Sequence, residues 1–177
     1  TVYAREGNDS VTLGNGNNSV DLGSGNNTAT TGSGNDTIVG TDGNNTVDAG
    51  SGTNHLTFGN GANHLTTGSG SDTITTGDGD SFIAAGDGTN SITGGAGHFT
   101  ITSGSGNDGI TLASGGGNIN AGDGINNINV GDGDYTITSG SGTYTILTGN
   151  GDNIINAGAG NNSVTVGNGT NNITATG

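Results

Sequence analysis

The chain contains no cysteine, no proline, no methionine and no tryptophan among its 177 residues. Without cysteine there are neither disulfide staples nor thiolate metal sites, a composition compatible with secretion but not diagnostic of it. One basic residue, Arg5, stands against fifteen acids, for a net charge of -14. That balance leaves no basic surface for phosphate, so nucleic acid and anionic membranes are not expected partners unless a cation bridges them. Hydrophobic residues make up 26% and aromatics 3%, too few for an ordinary thick core. No apolar run is long enough to span a bilayer, and Thr1 to Glu6 do not resemble a signal peptide. With no Met and both ends lying inside a repeat, a processed chain or a piece of a longer protein is expected.

What is present is a register. From Arg5 to Ala175 the sequence is nineteen copies of a nine-residue unit, without insertion or deletion. Position 3 is Gly in every copy, and position 1 is Gly except at Arg5, Thr41 and Ala113. Position 7 is always aliphatic, from Val11, Val20 and Ala29 through to Ile155, Val164 and Ile173. Low hydrophobicity and high charge alone would suit disorder, but disorder gives no reason for an unbroken aliphatic register. A short fixed period is the signature of a solenoid.

Each unit divides into a turn and a strand. Positions 1 to 4, as in Gly32-Ser33-Gly34-Asn35, combine Gly with short polar residues that hydrogen-bond nearby backbone. Positions 5 to 9, as in Asp36-Thr37-Ile38-Val39-Gly40, have strand composition. Side-chain alternation predicts that positions 7 and 9 face inward and 6 and 8 outward. One such strand cannot bury its face alone. Two units per coil set two strands back to back, so the predicted fold is an all-β solenoid of eighteen residues per coil and about nine to ten coils. At about 4.8 Å per coil the rod is on the order of 45 Å long. We expect one domain over residues 1–177, with its softest copy at Ala113 to Gly117, where extra Gly raises unfolded-state entropy.

The unit resembles the hemolysin-type nonapeptide G-G-x-G-x-D-x-U-x of the repeats-in-toxin (RTX) family. The best matches are Gly32-Ser33-Gly34-Asn35-Asp36-Thr37-Ile38, Gly68-Ser69-Gly70-Ser71-Asp72-Thr73-Ile74 and Gly104-Ser105-Gly106-Asn107-Asp108-Gly109-Ile110. The resemblance implies a parallel β-roll in which calcium sits in the Gly-rich turns, held by backbone carbonyls and Asp carboxylates of successive coils. The chain departs from that pattern at the ligands. The family's first Gly falls on position 9, where only Gly40 and Gly94 keep it. Its Asp falls on position 5, which is Asp only at Asp9, Asp36, Asp72 and Asp108. Ten copies carry Asn there: Asn18, Asn27, Asn45, Asn54, Asn63, Asn90, Asn126, Asn153, Asn162 and Asn171. The other five are Ser81, Phe99, Gly117, Tyr135 and Tyr144.

Calcium affinity falls as carboxylates are lost. The candidate metal ligands are Asp9, Asp36, Asp72 and Asp108, with the pairs Asp134 with Asp152, Asp72 with Asp87, and Asp108 with Asp123. Asp21, Asp42, Asp48 and Asp78 are read as solubility charge. The Asn series suggests an alternative to metal: amides stacked coil over coil that hydrogen-bond along the axis. On that reading Ca2+ is accommodated but no cofactor is required.

Catalysis finds no constellation. His55 and His64 occupy position 6 of consecutive units and so fall on opposite faces, and neither they nor His98 has a nucleophile at fixed spacing. The Gly-x-Gly matches lack the following helix that a phosphate cradle needs. Asn-x-Ser/Thr sequons occur at Asn8, Asn17, Asn26, Asn35, Asn44, Asn161, Asn168 and Asn172, as expected by chance in this composition. The expected function is a structural module of a secreted or surface-attached bacterial protein, not an enzyme, with itself (stacked end to end) or adjoining repeats as partner. A calcium-dependent RTX β-roll of an adhesin, toxin or secreted enzyme is the alternative. Ice binding through outward Thr rows is the third.

Overall fold

The computed structural model describes residues 1–176. Within them twenty short strands alternate between two ten-stranded parallel sheets, and there is no helix. The first sheet begins with Val2–Tyr3, Ser19–Gly23 and Thr37–Gly40; the second begins with Ser10–Thr12, Thr28–Thr30 and Thr46–Asp48. Every strand pairs with the strand eighteen residues away, as in Ile38 with Leu56 and Ile83 with Ile101. One irregularity, between Asp21 and Gly23, interrupts that register. The predicted all-β solenoid with two units per coil is therefore the observed architecture.

Inward and outward positions fall as the alternation requires. The position-7 column is buried through Ile38, Leu56, Ile74, Ile92 and Ile110 in the first sheet, and through Leu65, Ile83, Ile101 and Ile119 in the second. Position 9 completes a core only two side chains thick. Each fully buried aliphatic side chain contributes about 1.5–3 kcal/mol relative to exposure, and a solenoid spreads that gain evenly along its axis. His55 and His64 lie in strands of different sheets, as expected.

Turn glycines fix how closely coils stack. Gly70 has φ of 145°, and a Cβ there would run into the carbonyl of Gly52 on the coil before. Gly40 serves side-chain packing instead: a Cβ there would lie 2.6 Å from the Phe58 ring. The fold thus has two long edges of stacked turns. The first edge leads into the first sheet and carries Asn18, Asp36, Asn54 and their successors. The second leads into the second sheet and carries Asp9, Asn27, Asn45 and theirs.

Candidate cation sites in the turns

Position 5 is where strand meets turn, and its side chain points into the turn. Its Oδ1 accepts the backbone N–H of the residue eighteen places earlier. On the first edge Asn18 donates to Asp36 (2.7 Å), Asp36 to Asn54 (3.0 Å), Asn54 to Asp72 (2.7 Å) and Asp72 to Asn90 (3.1 Å). Asn90 then donates to Asp108 (2.8 Å) and Asp108 to Asn126 (2.7 Å). The second edge runs alike from Asp9 through Asn27 and Asn45 to Asn63. Amide-to-amide bonds of the expected kind link Asn27 to Asn45, Asn45 to Asn63 and Asn153 to Asn171.

The second atom of each side chain decides what the turn can hold. In Asn turns Nδ2 donates to glycine carbonyls of its own turn. Asn18 reaches Gly14 O and Gly16 O, Asn54 reaches Gly50 O, Asn63 reaches Gly59 O and Gly61 O, and Asn90 reaches Gly86 O. The amide thus places N–H where the family places a cation, against turn carbonyls, and these turns do not fit calcium.

Asp turns differ. Asp36, Asp72 and Asp108 are only 1–2% exposed, and the Oδ2 of each has no hydrogen-bond partner. A carboxylate has no N–H for the carbonyls of Gly32 and Gly34, Gly68 and Gly70, or Gly104 and Gly106. Burial pushes the carboxyls of Asp72 and Asp108 above their usual range, opposed by the N–H groups of Asn54 and Asn90 and by the hydroxyls of Thr67 and Ser103. An orphaned carboxylate oxygen among carbonyls is chemistry that a hard cation satisfies. Asp9 also has a buried Oδ2 without a partner, at the head of the second edge.

The remaining candidates lie outside the turn interior. Asp87, Asp123, Asp134 and Asp152 are exposed, and each uses Oδ1 to accept a backbone N–H of the following coil: Ser105, Ser141, Asp152 and Thr170 respectively. The N–H and hydroxyl of Ser105 together hold the Asp87 carboxyl below its usual range. The charge that acts on Asp108 is Asp87, from the coil before, rather than Asp123. Among the described residues no three of His, Asp and Glu converge on one point. Asp134 and Asp152 are joined only by the backbone bond just described.

Sequence reasoning missed this outer ladder. Positions 2 and 4 accept from the following coil, as in Asn26 N–H to Asn8 and Asp78 N–H to Asn60, whereas position 5 accepts from the preceding one. The signal was available as short Asn, Asp and Ser at positions 2 and 4, which composition alone assigned to turn formation. Also missed was the fate of the aromatics at position 5. Phe99, Tyr135 and Tyr144 are buried in the turns, and Tyr144 OH donates to Gly122 O at 2.6 Å.

With this geometry in view, the family comparison gives a definite result. The model of RTX calcium-binding nonapeptide repeats matches residues 1–29, 30–65, 66–98, 76–110 and 145–173, well over half of the chain. The chain belongs to the RTX repeat family. The stretch left unmatched, 111–144, is where Gly117, Tyr135 and Tyr144 replace the position-5 carboxylate or amide. No curated protein and no solved structure matches the chain. It is thus a β-roll module of a calcium-binding repeat family in which only a minority of turns keep the calcium-type carboxylate.

Proposed function

We propose that this RTX module is a stiff structural segment of a secreted or surface-attached bacterial protein, a rod whose coils are held by side-chain amides and whose calcium load is small. The observation that carries the reading is the double use of Asn. At position 5, Oδ1 satisfies the neighbouring coil, while Nδ2 satisfies the turn carbonyls. A turn so satisfied has no need of metal. Its role is to supply length and an acidic, hydrated surface. Adjoining repeats, or a second copy stacked end to end, add coils by pairing with the sheet edges at Val2–Tyr3 and Asn172–Thr174.

The second reading is a roll that folds only when calcium is supplied outside the cell, and the orphaned oxygens of Asp36, Asp72 and Asp108 favour it. Small-angle scattering of the chain in EDTA separates the two. The structural reading expects a rod on the order of 45 Å long. An expanded coil that contracts only on adding calcium supports the triggered roll instead.

A further inference from the structure

Asparagine followed by glycine is the pair most prone to deamidation, because glycine has no side chain to keep its backbone nitrogen away from the asparagine amide. The chain has four such pairs: Asn15-Gly16, Asn60-Gly61, Asn150-Gly151 and Asn168-Gly169. All four fall on positions 2 and 3 of the unit, on the outside of a turn. The glycine nitrogen, having lost its proton to water, attacks Cγ of the asparagine. The N–Cγ bond forms, the Cγ–Nδ2 bond breaks and ammonia leaves. Water then opens the cyclic imide at either carbonyl, giving aspartate or isoaspartate. One water enters and one ammonia departs, so the reaction calls for no oxidant and no cofactor.

In three of the pairs the following coil holds both reacting groups. The N–H of Gly16 donates to Ser33 O (2.6 Å), that of Gly61 to Asp78 O (2.9 Å) and that of Gly151 to Asn168 O (2.8 Å). The Oδ1 atoms of Asn15, Asn60 and Asn150 accept the N–H groups of the same three residues, at 3.0, 2.8 and 3.0 Å. A nitrogen so committed cannot turn onto Cγ until the coil opens locally. Asn168 is placed differently. No residue of the chain lies eighteen places beyond it, and among the described residues neither its Oδ1 nor the Gly169 N–H has a partner. Its Nδ2 donates to Asn150 Oδ1 at 3.0 Å, which holds the leaving group and not the attacking nitrogen. Asn150-Gly151 is the internal control, one coil earlier on the same edge, with glycine φ of 143° against 134° at Gly169.

We propose that Asn168 is a spontaneous modification site, deamidating to aspartate and isoaspartate, and that the outer ladder shields Asn15, Asn60 and Asn150 from the same reaction. The ladder is then chemical protection as well as mechanical support. The two products differ in what they do to the coil. Aspartate at position 2 is already accommodated on this edge, where Asp42, Asp78 and Asp132 each accept an N–H from the following coil. Isoaspartate routes the backbone through Cβ and Cγ, which lengthens it by one atom and spoils the spacing on which stacking depends. A coil stacked on this end, from adjoining repeats or a second copy, covers Asn168 as the coil of Asn168 covers Asn150.

The test is peptide mapping by mass spectrometry of the full chain, aged at mildly alkaline pH in about 10 mM calcium, where it is folded under either reading of its function. Asn168 should convert at least about tenfold faster than Asn15, Asn60 or Asn150, since each of those must first break two hydrogen bonds. In urea all four should convert alike, and a chain lengthened by one coil beyond Gly177 should slow Asn168 to the rate of Asn150. Four pairs that convert at one rate in the folded chain overturn the proposal. So does an Asn168 as slow as Asn150 at every dilution, or a fast Asn168 whose lead persists in urea.

Discussion

The two edges of the roll face the same problem and answer it differently. On the first edge, from Asn18 to Asn126, every turn interior holds an amide or a carboxylate, and each from Asp36 onward accepts from the coil before. The second edge keeps that arrangement from Asp9 to Asn63, weakens it at Ser81, whose Oγ accepts the Asn63 N–H at 3.3 Å, drops it from Phe99 to Tyr135, and resumes it at Asn153 and Asn171. Phe99 and Tyr135 fill its later turns, with Gly117 between them. Room for the Phe99 ring comes from Gly94, where a Cβ would lie 2.6 Å from it. A turn interior must be filled and its carbonyls answered; an amide does both, a carboxylate brings no N–H for them, the Phe99 ring gives up the bonds for apolar packing, and the Tyr144 hydroxyl still answers Gly122 O.

Substitutions that exchange the two answers measure the difference. Phe99→Ala should have the largest effect, because it empties a turn that Gly94 and Gly117 cannot refill; about 3–5 kcal/mol is expected in urea unfolding. Asn54→Ala should cost about 1–3 kcal/mol by the same measurement, since it leaves the buried Asp36 N–H without its partner. In EDTA, Asp72→Asn should raise stability by about 1 kcal/mol, because the new amide answers carbonyls that the carboxylate cannot.

The acid response of the two kinds of carboxylate should also differ. Asp72 and Asp108 have pKa values raised above 3.8 by burial, so the fold favours their protonated forms. Their contribution to stability is complete below about 3.8 and is lost as pH rises through the raised folded values. Metal-free protein should therefore become more stable on mild acidification, as read by thermal midpoints in EDTA. Asp87 has the opposite sign: its lowered pKa contributes stability above 3.8 that disappears as pH falls. Being exposed, it should matter least, and Asp87→Ala should shift the neutral-pH midpoint less than any change above.

The solenoid was legible in the sequence because position 7 never leaves register and position 3 is never anything but Gly. The Asn ladder was legible for a similar reason, since identical residues eighteen apart must stack. Less legible were features that belong to one edge only. Reading all nineteen units as one motif mixes two columns, and the alternation of Asp with Asn from Asn18 to Asn126 shows only when the columns are separated. Direction was hidden as well. Sequence spacing suggested Asp108 beside Asp123, but the charge it feels comes from Asp87 on the preceding coil. Phe99, Tyr135 and Tyr144 read as departures from a ligand pattern, whereas packing makes them core residues.

The central claim is that a side-chain amide at position 5 takes the place of a cation. Circular dichroism of the double variant Asn54→Asp with Asn90→Asp tests it most directly, because that variant carries a carboxylate on five successive coils of the first edge, from Asp36 to Asp108. The account predicts a parent chain with a β spectrum in EDTA, and a variant that loses it there and regains it in about 10 mM calcium, above the weakest extracellular sites. A variant as stable as the parent in EDTA, or a parent that itself needs calcium to fold, would contradict it.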